Sequence, residues 1–211
     1  MIPTWTDTEL DVVETLTRCL RLISLAQIQR IWWPEVPSQK ALRRELKRLR
    51  DGKLLFRTIV NVHPALPLKS PLIVWHPRDN HPPFDRAVQR IRSRWQQLTE
   101  PTEVYWASPL AANLFGSGAG EMPPLTHRDH DLLLAEVYVL YRHQRPELAR
   151  RWVGEDVFPK AGYRIKNPDA FLFDDGGRPM RAIESAGRYG LQQIQSFHDH
   201  CVDQTLPYEL W

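Results

Sequence analysis

The chain is poor in cysteine, with two in 211 residues, Cys19 and Cys201. A pair so far apart gives neither a disulfide framework nor the spacing of a zinc ribbon, and a reduced, intracellular setting is its simplest account. Long apolar runs are missing too: none approaches the roughly 18 residues that span a bilayer. The opening residues, Met1-Ile2-Pro3-Thr4-Trp5-Thr6-Asp7, lack the basic-then-apolar order of a secretory signal. No internal repeat is visible. These absences predict a cytoplasmic protein with no membrane partner. What is present is ordinary globular material, 42% hydrophobic and 25% charged, enough for one compact domain or two small ones.

The net charge of +3 is unevenly spread. Residues 1–99 hold 17 Lys+Arg against 9 Asp+Glu, whereas residues 100–211 hold 11 against 16. A basic half joined to an acidic half predicts that one part meets a polyanion while the other does something else.

Residues 1–80 read as three helices followed by a hairpin. Leu10, Val13, Leu16, Thr17 and Leu20 recur at helical spacing, with Asp7 and Glu9 near the positive end of the helix dipole. Ser24-Leu25-Ala26-Gln27 matches a capping box, and Pro34 and Pro37 stop the short helix it opens. Ser38 caps a third helix, Gln39 to Arg50, closed by Asp51-Gly52. Extended runs at Leu54–Val62 and Pro71–His76 predict a hairpin with a protruding tip between them. Three helices and a hairpin in this order are those of a winged helix-turn-helix. In the third helix Leu42, Leu46 and Leu49 share one sector and dock it, so its cations point outward. An α-helix fits the major groove, where the first residues of such a helix approach base edges. That nominates Gln39, Lys40 and Arg43 for the groove, Arg44, Lys47 and Arg48 for the backbone, and Arg57 and Lys69 as phosphate contacts from the wing.

Residues 81–125 read as a linker and connecting helix. His76 to Pro83 is polar and proline-rich, and Asp85 to Leu98 is a basic helix with Val88, Ile91 and Trp95 on one face. This helix is a candidate surface for a homodimer or a protein partner, although no heptad run specifies pairing. Gly116-Ser117-Gly118-Ala119-Gly120 lacks the Gly-Lys-Ser/Thr ending of a phosphate loop and reads as a plain loop. Trp32 and Trp33, beside Pro34, read as closing a small core.

Residues 126–211 read as a small α/β domain. A helix opens at Thr126. Extended runs follow at Arg151–Glu155, Ala170–Phe173 and Met180–Glu184, the last two joined by Asp174-Asp175-Gly176-Gly177, and a helix runs from Tyr189 to about Cys201. Asp169 at the head of one strand and Glu184 on its hairpin neighbour bring two carboxylates to one sheet edge. Two hard oxygen donors there suit Mg²⁺, which activates water and stabilises charge on a phosphodiester. Glu155 and Glu136 are candidates for further acid. On the second helix His198 and Cys201 share a face while His200 points elsewhere, too few ligands for zinc. The spacing of His127, His130 and Glu136 fits no zincin pattern.

At these residues the sequence resembles the PD-(D/E)xK restriction-endonuclease-like superfamily, with Pro168-Asp169 as the first half of its motif and Glu184-Ser185-Ala186 as the second. The resemblance implies a catalytic pair Asp169 and Glu184, with Mg²⁺ as the cofactor of an active site. Ala186 stands where that superfamily has lysine, and Lys166 or Arg188 would have to replace it. As a whole the chain resembles the bacterial replication–relaxation family of plasmid and mobile-element proteins, through Ser24 to Leu55, Glu155, Pro168-Asp169, Glu184 and the tail Ser196 to Trp211. That resemblance implies DNA association. The expected fold is therefore α+β, a winged helix-turn-helix followed by a nuclease-like domain. The expected function is binding of double-stranded DNA, with a C-terminal domain that does not cleave. The rivals are a Mg²⁺-dependent endonuclease and a protein–protein adaptor built on the winged helix.

Overall fold

A computed structural model of the chain describes residues 4–158 and 167–211. Helix α1, Asp7–Arg18, begins where Thr6 and Glu9 cap each other reciprocally, side chain to backbone in both directions. Its inner face carries Val12, Val13 and Leu16, all fully buried. Strand β1, Ile23–Ser24, runs directly into α2, Leu25–Trp32, through the Ser24–Gln27 capping box that the sequence predicts. Ser38 caps α3, Gln39–Asp51, by accepting from the Ala41 N–H. Leu42, Leu46 and Leu49 are fully buried and anchor this helix.

The end of α3 differs from expectation in a small way. The left-handed residue there is Lys53, at φ 59°, while Gly52 sits at φ −74°. Gly52 is needed for space: a Cβ on it would come within 2.5 Å of the Trp5 ring, which packs over the helix end.

The larger departure concerns strand pairing. Strand β2, Leu55–Val62, does not form a hairpin with the next extended run, β3, Ile73–Trp75. Helix α4, Phe84–Arg94, follows β3, and the chain then returns as β4, Glu100–Ala107, to pair with β2 from Leu55 opposite Ala107 to Val62 opposite Glu100. Strand β1 pairs with the other edge of β4, giving an antiparallel sheet in the order β1-β4-β2. Packing decides between the two partners. Ile73 and Trp75 have a better apolar site elsewhere, where Trp75 stacks on Tyr208 at 5.7 Å. Tyr105 of β4 packs with the apolar faces of α1 to α3, and Val104 packs with Leu22, Val60 and Val62. Helix α4 is also shorter than expected. It ends at Arg94, where Trp95 turns away to give its indole N–H to the Gly187 carbonyl at 2.7 Å.

After α5, Pro109–Phe115, come α6, Arg128–Gln144, and the short α7, Pro146–Ala149. Strands β5, Trp152–Gly154, β6, Ala170–Phe173, and β7, Pro179–Glu184, then α8, Leu191–Asp203, form in the order predicted. The tail adds an element the sequence reading did not assign, β8, Tyr208–Leu210. It lies parallel to β7 and antiparallel to β3, so the second sheet runs β3-β8-β7-β6-β5. The described residues thus make a mixed α and β structure with two sheets, in which no helix is long and apolar enough to cross a membrane.

Helix α6 serves both halves. Tyr138 and Tyr141 pack edge-on against Trp152 at 5.3 Å, toward the second sheet. Toward α1 and α2 the helix presents charge. Asp129 meets His63, Asp131 meets Arg21 at 2.7 Å, Glu136 meets Arg30 at 2.8 Å, and Arg142 meets Asp11 at 2.7 Å. A single apolar core runs from the leucines of α3 through α6 to Leu172 and Ile183.

Candidate functional site

Helix α3 exposes fewer unengaged cations than its sequence offers. Lys40 and Arg44 are exposed and form no ion pair with another described residue. Arg43 gives its Nε–H to Glu103 at 2.7 Å and a second N–H to Gln39 at 3.1 Å. Arg57 on β2 donates to the other oxygen of Glu103, which also accepts from the Tyr105 hydroxyl. Lys47 pairs with Asp51 one turn on. Arg48 lies 3.4 Å from Glu9 and donates to the Thr4 carbonyl at 2.9 Å. Burial disfavours the Glu103 carboxylate most strongly of all influences, but hydrogen bonds from Arg57, Tyr105 and Arg43 outweigh it and hold its pKa below the usual range.

Lys69 is not on a wing. With β4 as the partner of β2, the residues after Val62 leave the first sheet, and Lys69 borders a recess beside Tyr141 and Trp211.

The two carboxylates of the second half do meet. Asp169 immediately precedes β6 and Glu184 ends β7, and the register of Ala170 with Ile183 places them opposite each other. Both are buried. The Asp169 N–H donates to Glu184 Oε2 at 3.1 Å, the Ser185 N–H donates to Asp169 Oδ2 at 2.8 Å, and the Tyr189 hydroxyl donates to Glu184 Oε1. Glu155 follows β5. Its N–H bonds the Asp169 carbonyl at 3.0 Å and its carboxylate pairs with Arg21 at 3.0 Å. Glu136, the other candidate acid, is held by Arg30 and Gln27 on the face of α6 toward α2. Lys166 lies outside the described residues. A cleft of about 350 Å³ opens beside Asp169, lined also by Arg21, His130, Glu155, Arg188 and Tyr189.

His130 is the member of this site that the sequence reading passed over. Its Nε2 lies 3.0 Å from Asp169 Oδ2, off the line of a well-aligned hydrogen bond, and its Nδ1 lies 3.4 Å from Asp131 Oδ1. Arg21 donates to the same oxygen, Asp131 Oδ1, at 2.7 Å. Burial is the largest influence on the imidazole and disfavours its charge. Asp169 and Asp131 together outweigh it and push the pKa up to about 10. The available signal was the His130-Asp131 pair immediately before the apolar run Leu132-Leu133-Leu134.

The sign of this shift makes a prediction. The imidazolium is favoured in the folded chain, so its contribution to stability is complete below the ordinary value of 6.5 and is lost as pH rises through about 10. The melting-temperature difference between the parent and His130→Gln will be largest near pH 6 and shrink steadily toward pH 10. A difference that does not change with pH would show a neutral ring.

Ala186 is fully buried, packed among the residues between α4, α8 and the second sheet, and its N–H bonds the Trp211 carbonyl at 2.9 Å. A lysine there would have to thread a charged stem through that core. The donors around Asp169 and Glu184 fit a hydrogen-bonded ion-pair cluster better than an open oxygen cage for Mg²⁺. Both Glu184 oxygens and Asp169 Oδ2 already accept, and a cationic ring stands at Asp169. Among the described residues, no group of three His, Cys, Asp or Glu is arranged to hold a metal ion.

No family model, curated protein or solved structure matches the chain.

Proposed function

We propose that the protein binds double-stranded DNA through a winged helix-turn-helix in which α3 enters the major groove. The observation that carries this reading is the topology of residues 7–107. Three helices lie against a sheet ordered β1-β4-β2, and α3 is docked by three leucines with Lys40 and Arg44 turned to solvent. The β2–β4 ribbon is the wing, and Arg57 lies on it. In this reading the second half is a nuclease-like scaffold, α6-β5-β6-β7-α8-β8, that does not cleave. Its carboxylate pair is satisfied by backbone N–H groups, Tyr189 and His130, and the buried Ala186 leaves no cation two residues beyond Glu184 to steady an attacking water. The resemblance of Ser24 to Leu55, Pro168-Asp169 and Glu184 to the replication–relaxation family is what suggests a place among DNA-associating proteins of bacterial plasmids and mobile elements.

Two assays test this. Titration of a labelled duplex should give affinity that falls with salt, and Lys40→Gln with Arg44→Gln should lower both affinity and salt slope, the slope by roughly 0.9 per lost phosphate contact. Supercoiled plasmid incubated with the protein and Mg²⁺ or Mn²⁺ should stay intact. The meeting of Asp169 and Glu184 favours a second reading, a divalent-metal endonuclease. Nicking that disappears in Asp169→Asn and in Glu184→Gln would replace the first reading with it.

A further inference from the structure

Helix α4 buries Phe84, Ala87, Val88 and Ile91 against α8 and the second sheet. Its other side carries Arg86, Arg90 and Arg94 at successive i, i+4 spacing, a row whose members stand about 6 Å apart along the axis. Gln89 and Ser93 flank the row, and the helix's one acid, Asp85, lies off it in the first turn. On α3 three of the six cations, Arg43, Lys47 and Arg48, are already paired, whereas Arg86, Arg90 and Arg94 form no ion pair with any other described residue. Arg94 is drawn partly into the protein, and its buried Nη1 has no hydrogen-bond partner. A guanidinium nitrogen left in that state costs free energy that an anion would return. Burial, and after it the charge of Arg90, lower its pKa to about 10, as expected of cations crowded together without a counter-ion.

We propose that the Arg86–Arg90–Arg94 row is a second phosphate-binding track, along which the backbone of the nucleic acid gripped by α3 continues onto the second half of the molecule. The spacing of the row, slightly under two nucleotide rises of about 3.4 Å, suits side chains reaching every second phosphate of one strand. Continuity with α3 is built in. Trp95, the residue after α4, and Gln39 and Arg43, at the start of α3, line one cleft of about 350 Å³. A lipid surface fits poorly, because the exposed residues of α4 are all polar and offer nothing to insert into a bilayer.

The track rests on the DNA reading, and the test separates the two. Duplex titrations across a salt series compare the parent, Lys40→Gln with Arg44→Gln, and Arg86→Gln with Arg90→Gln. The last pair is exposed, so its circular dichroism and melting should match the parent. Its salt slope should fall by about 1.8, so that between 50 and 200 mM salt the parent loses roughly tenfold more affinity than the variant. Unchanged affinity and slope in the α4 variant, with binding weakened in the α3 variant, overturns the track and leaves the DNA reading intact. Weakening in the α4 variant alone keeps the track and removes α3 as the reading helix. A parent that fails to bind duplex ends both. Vesicles containing phosphatidylserine supply the last arm: loss of vesicle binding in the α4 variant, with duplex binding untouched, also overturns the track.

Discussion

Glu209→Ala should cost about 3–5 kcal/mol of folding stability, the range for removing one partner of a buried charge cluster. Glu209 is in the middle of β8, between β3 and β7, and is almost completely buried. One oxygen accepts from Arg145 at 3.2 Å and from Arg181, and the other from the Tyr141 hydroxyl at 2.7 Å and the Trp211 indole at 3.0 Å. These donors come from the C-terminal turn of α6, the residue just beyond it, β7 and the last residue of the chain, so one carboxylate ties α6 to the second sheet. Removing it strands Arg181 most severely, because that guanidinium is largely buried and its Nε already has no partner. Arg145 is half exposed and recovers water. Glu209→Gln keeps the shape and two acceptor sites but loses the charge, and should cost about 1–3 kcal/mol. Urea unfolding at fixed m-value measures both. A loss below about 1 kcal/mol for Glu209→Ala would mean that water reaches Arg181 and that the cluster does not hold the sheet to α6.

Glu209 also shows where sequence reading stops. The Ser24–Gln27 box, the Ser38 cap and the leucine stripe of α3 were legible because each is decided within a few residues, by a hydrogen bond or a helical repeat. The convergence of Asp169 and Glu184 was legible because a tight turn fixes the register of β6 and β7. The partner of β2 was not. The run at 71–76 reads as extended while residues 100–107 fall in what reads as linker, and the fit of Trp75 against Tyr208 sends β3 to the second sheet. Strand β8 escaped notice because three residues carry no period, and because a glutamate reads as solvated until Tyr141, Arg145 and Arg181, all distant in the chain, and Trp211 surround it. His130 belongs to the same class. Its role depends on Asp169, 39 residues further on. The positive face of α3 was legible in composition but overestimated, since Glu103 sits on β4, a strand the sequence did not announce.

That overestimate supplies the prediction with the largest effect on binding. Glu103→Gln should raise duplex affinity and steepen its salt dependence. The Glu103 carboxylate now holds Arg43 and Arg57 together, at the start of the recognition helix and on the wing, where a phosphate would compete for both. Neutralising it frees two guanidinium groups, each adding roughly 0.9 to the salt slope if it reaches a phosphate, so the gain should be about tenfold greater at 50 than at 200 mM salt. The stability cost should be about 1 kcal/mol or less, because Arg43 and Arg57 are each about a third or more exposed and recover water when the pairing is lost. Glu100→Gln is the control. It removes the same charge from the same strand at an exposed position and leaves both arginines paired. If Glu103→Gln binds no more tightly than Glu100→Gln, the gain is only a change in net charge, and Arg43 and Arg57 do not face the nucleic acid. If it binds more tightly and with a steeper slope, Glu103 is a brake on the interface, set by the strand that completes the first sheet.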